Sequence, residues 1–118
     1  MTVTAHDAFV NMYYALDAAF DEHRSDRLRE FVSEANPFLW KDKGSADPAL
    51  YIEFERAWKR EFENDEATAP EARCFVRNYL TTQDEGEYAF ASAGDITLVQ
   101  AFDSVADEKS WEEAFLDI

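Results

Sequence analysis

The sequence predicts an all-α fold: a single domain over residues 1–118, built as a bundle or array of about five to seven helices. Three observations lead there. Apolar residues recur at intervals of three and four along most of the chain, and capping residues precede those runs. Only three Gly and three Pro occur, too few for the many tight turns of a sandwich or barrel. With 47% hydrophobic and 15% aromatic residues over 118 positions, the chain also holds enough core material for one domain and is no disordered acidic tail.

The first helix begins at Thr4, whose hydroxyl caps the opening amides while Asp7, three residues on, completes a box-like start. Phe9, Met12, Tyr13, Leu16 and Phe20 form its buried stripe, and His23, Arg24 and Ser25 interrupt it. Ser25 or Asp26 caps a second helix with a stripe of Leu28, Phe31, Val32 and Ala35, which stops before Asn36 because Pro37 disfavours helical geometry in the residue ahead of it. Residues 36–48 lose the periodicity and read as a structured loop. Asp47 and Pro48 then start a third helix, aspartate as the cap and proline at a position that needs no N–H. Its stripe is Tyr51, Phe54, Ala57, Trp58 and Phe62, and residues 64–67 form a polar break.

Thr68 and Glu71 make a capping box around Pro70, followed by Ala72, Phe75, Val76, Tyr79 and Leu80, the cleanest helical stripe in the chain. Cys74 falls inside this pattern and is expected to be a small apolar filler of the core. Residues 88–99 allow two readings. Two short helices are favoured by dense Ala, by Gly94 as a helix end and by Asp95 as the next N-cap; an α+β alternative places a short hairpin there, turning at Gly94 and Asp95. Leu98, Ala101, Phe102 and Val105 support the helical choice. A last helix from about Asp107 puts Trp111, Ala114, Phe115 and Ile118 on one side.

Charge narrows the function. The formal net charge is -15, which opposes binding to nucleic acid or an anionic membrane by simple attraction. Residues 84–118 hold ten acidic side chains against Lys109 alone. Within them Asp103, Asp107, Glu108, Glu112, Glu113 and Asp117 crowd a short stretch, the candidate surface for a basic partner protein. Ordinary solubility is the competing account of the same charge. The lone cysteine, the absence of a long apolar run and an opening segment without basic and apolar signal regions set the expected location as the cytoplasm.

Chemistry is hard to place. His6 and His23 are seventeen residues apart and sit in no ligand motif, no glycine-rich phosphate loop occurs, and neither Cys74 nor Ser45 has a base nearby in sequence. No catalytic residue, metal or cofactor is expected. The loop over residues 36–48 is the most individual segment: Trp40 beside Lys41 and Lys43, with Ser45 and Asp47 following, reads either as the pocket of a small enzyme or ligand-binding domain, near Tyr51, or as aromatic residues pinning a connection to the core. The leading expectation is a non-enzymatic acidic interaction module. Its size and charge are similar to those of small bacterial immunity and antitoxin-like inhibitors, and its partner is expected to be a basic protein.

Overall fold

The computed structural model describes residues 2–37, 45–86 and 95–116, and among them the chain forms six helices and one small sheet. Helix α1, Ala5–Glu22, opens as expected: the Asp7 N–H donates to Thr4 Oγ1 at 3.2 Å and the Thr4 N–H donates to Asp7 Oδ2 at 3.3 Å. Its burial is wider than a stripe. Val10, Asn11 and Ala15 are buried together with Phe9, Met12, Tyr13 and Leu16, because the other helices pack against α1 from several sides and leave a strip with Tyr14, Asp17 and Ala18 exposed. Helices α2 (Asp26–Ala35), α3 (Pro48–Glu61), α4 (Ala69–Glu85), α5 (Leu98–Val105) and α6 (Glu108–Leu116) all pack against it.

The expected caps of α2, α3 and α4 form at Ser25, Asp47 and Thr68, the last in a complete box with Glu71. Glu71 accepts the Thr68 N–H at 2.9 Å, and that bond holds its carboxyl below the ordinary carboxylate value of 4.5. A depressed folded-state pKa adds stability above the unfolded value that disappears as pH falls through the folded one. Glu71→Gln keeps an acceptor but does not titrate. Between pH 6 and about pH 3, its urea midpoint should therefore fall less than that of the wild type.

Two features differ from expectation. The polar break ahead of α4 contains a strand: β1 (Thr2–Thr4) pairs antiparallel with β2 (Glu66–Thr68), setting buried Val3 opposite buried Ala67. Three residues with one inward side chain carry no readable alternation. Helix α5 starts later than Asp95, which instead accepts the Ile96 N–H; the cap is Thr97, in a box with Gln100. Leu98 and Val99 open that helix, so the strand reading of residues 96–99 is overturned. Residues 88–92, where a further short helix was expected, lie outside the described residues.

Long-range polar contacts fasten the helices. Arg27 of α2 meets Asp84 of α4 at 3.2 Å, and the same carboxylate accepts the Leu98 N–H at 2.8 Å and the Val99 N–H at 3.2 Å, a second cap on α5. Trp111 of α6 is buried; its indole N–H donates to the Ala69 carbonyl at 2.8 Å, and its own carbonyl accepts from Asn11 Nδ2 at 3.1 Å. Trp58 donates to the carbonyl of Asp65, a residue at φ 59° in the turn between α3 and β2. Left-handed backbone is costly for branched side chains, so Asp65→Val should cost about 1–2 kcal/mol in urea unfolding while Asp65→Gly keeps or raises stability.

Candidate functional site

The acidic C-terminal residues divide by role. Asp103 is engaged inside the fold: Arg77 grips it in a two-point contact at 2.9 and 3.0 Å, and Arg73 Nη2 reaches it at 3.1 Å. Arg73 also donates to the Ala106 carbonyl at 2.8 Å and lies 5.7 Å from the centre of the Phe102 ring. This cluster ties α4 to the end of α5. Asp107 accepts the Ser110 N–H at 2.7 Å and closes the first turn of α6; that backbone bond lowers its pKa. Glu108, Glu112 and Glu113 stand exposed, with Lys109 reaching Glu113 only at 4.0 Å. Asp117 lies outside the described residues. Of the six residues read from the sequence as an interaction surface, Asp107, Glu108, Glu112 and Glu113 are exposed among the described residues, the three glutamates on α6 itself. Leu116 on the same helix is 71% exposed.

The loop candidates also divide. Trp40, Lys41 and Lys43 lie outside the described residues. Ser45 is fully buried; its Oγ donates to the Asp47 carbonyl and accepts the Tyr51 N–H at 3.3 Å. Asp47 caps α3 through the Ala49 N–H and donates its own N–H to the Glu34 carbonyl at 2.8 Å. Both residues shape the entry to α3. Tyr51 donates its hydroxyl to Glu55 at 3.1 Å, and burial with the nearby carboxylate raises its pKa.

A groove of about 740 Å³ runs between α3 and α4, away from Tyr51 and unmarked by any sequence motif. The two helices meet through large rings: Phe75 lies 5.2 Å from both Phe54 and Trp58, and Tyr79 lies 5.0 Å from Phe54. Bulky residues at a helix contact set a wide separation, and the space left over is the groove. Phe62, Phe75 and Tyr79 line it, with Glu53, Arg60 and Glu61 among the polar residues around them. Cys74 also lines the groove and is exposed, contrary to the expected core position: two residues from both Ala72 and Val76, it falls across the helix from those buried side chains.

Among the described residues, no group of three or more His, Cys, Asp or Glu side chains is arranged to hold a metal ion, and no helix is long and apolar enough to cross a membrane. His6 and Tyr51 face each other edge-on at 6.1 Å, whereas His23 ends α1 as its C-cap. Comparison with protein-family models, curated proteins and solved structures returns no significant match.

Proposed function

We propose that this chain is a non-enzymatic acidic interaction module that binds a basic protein through the exposed face of α6. The observation that carries the reading is the placement of Glu108, Glu112 and Glu113 on a helix held down by buried Trp111 and Phe115. Charges on an anchored helix are already arranged before a partner arrives, so little ordering cost opposes binding. Leu116 adds an exposed apolar contact beside them, the mixture of charge and apolar surface that protein interfaces use. In its specific form the module is an immunity or antitoxin-like inhibitor, because a nuclease surface that accepts phosphate also accepts a row of carboxylates.

The test replaces charge at two places by the same amount. Glu108→Lys with Glu112→Lys should abolish capture of a basic protein from the source cells, while Asp17→Lys with Asp21→Lys, on the exposed side of α1, should leave capture intact. The α6 pair should change stability by less than about 1 kcal/mol, since exposed carboxylates contribute little. Equal loss in both variants would assign binding to net charge alone and remove α6 from the reading.

A further inference from the structure

The groove between α3 and α4 has no part in the α6 surface, yet its shape and chemistry suit a particular occupant. Its floor is aromatic: Phe62 and Phe75 are partly buried and continue the ring cluster of the core through Trp58, whose ring lies 4.7 Å from Phe62. Its polar edge carries Glu53, Glu61 and Glu71 against one guanidinium, Arg60. The groove is therefore apolar inside and anionic at its margins. From Glu53 to Phe62 it follows the last nine residues of α3 and the C-cap, roughly 14 Å at helical rise, enough for between two and three turns of a helix laid alongside.

We propose that this groove is a second docking surface and that its occupant is a cationic amphipathic helix of another protein. An apolar side chain of that helix sits on Phe62, Phe75 and Tyr79, and Lys or Arg residues beside it face Glu53, Glu61 and Glu71. Three properties of the site select this partner. An open trough between two helices matches the way amphipathic helices are received, with anchors spaced three and four residues apart. The three carboxylates outnumber the single guanidinium, so a basic flank is attracted and an acidic one repelled. Aromatic faces add attraction for any cation that lies over them. None of this depends on α6, whose carboxylates lie outside the groove lining.

Cys74, the sole cysteine of the chain, lines the groove and is exposed, so it reports occupancy directly. The experiment measures its alkylation by iodoacetamide in the presence of a 14-residue peptide of Lys and Leu with leucines at helical spacing. Two control peptides carry Ser for Leu or Glu for Lys. At ten times its Kd the Lys/Leu peptide should slow alkylation about ten-fold, and neither control should slow it. Glu53→Lys with Glu61→Lys, checked for folding by circular dichroism, should lose the protection. Glu108→Lys with Glu112→Lys should keep it, whatever becomes of the α6 surface. Equal protection by the Lys/Ser peptide would reduce the effect to charge, and peptide binding seen by fluorescence polarisation without Cys74 protection would place it elsewhere. Either result, or no binding, overturns the proposal.

Discussion

Asp84→Ala is expected to lower the stability of the fold by about 3–5 kcal/mol, the range for breaking a buried ion pair by removing one partner. The side chains of Arg27 and Asp84 are only 9% and 11% exposed, so removing the carboxylate leaves a guanidinium largely shielded from water. The same change also frees the Leu98 and Val99 N–H groups at the start of α5, and losing a cap costs about 1 kcal/mol. An order of effects follows from this double role. Asp84→Ala should be worst, because it removes the pair and the cap together. Arg27→Met should be milder, since Asp84 keeps its two backbone donors and the apolar stem is replaced in kind. Urea unfolding of both variants checks the order. Equal losses would mean that the capping half of the interaction contributes nothing measurable.

The second large effect is Trp111→Ala, expected to cost about 3–5 kcal/mol for truncating a buried Trp. Trp111 sits edge-on to Phe102 at 5.4 Å and to Phe115 at 4.9 Å, so its loss opens space between α6 and the body of the fold. Trp111→Phe keeps a ring but leaves the Ala69 carbonyl without its indole donor, and should cost about 1–2 kcal/mol. The consequence for function is specific. With α6 released, Glu108, Glu112 and Glu113 lose their fixed arrangement, so Trp111→Ala should weaken the proposed partner's binding even under conditions where most of the chain stays folded. Hydrogen exchange should show α6 opening before α4 in that variant.

Most helix starts were legible in the sequence, because one residue and its near neighbours decide them. Thr4 with Asp7, Ser25, Asp47 with Pro48, and Thr68 with Glu71 all form the caps that their spacing predicts. The start of α5 is an exception: the expected cap was Asp95, whereas Thr97 caps the helix two residues later in a box with Gln100. Contacts across long sequence distances were not legible. Asp103 looks like one more surface carboxylate until Arg73 and Arg77 approach it from thirty and twenty-six residues away. The groove had no signal for the same reason: periodicity tells which face of a helix is apolar, and says nothing of how far the next helix stands from it.

We propose that α6 presents organised negative charge to a basic partner. The most direct test is the association rate constant of the captured partner, measured at several salt concentrations for wild type, for Glu108→Lys with Glu112→Lys, and for Asp17→Lys with Asp21→Lys. Steering between opposed charges acts on the encounter rate and is screened by salt. The α6 pair should slow association by about ten-fold or more at low salt and flatten its salt dependence, with the α1 pair close to wild type. Rates that fall equally in both variants, or in neither, would contradict the proposal.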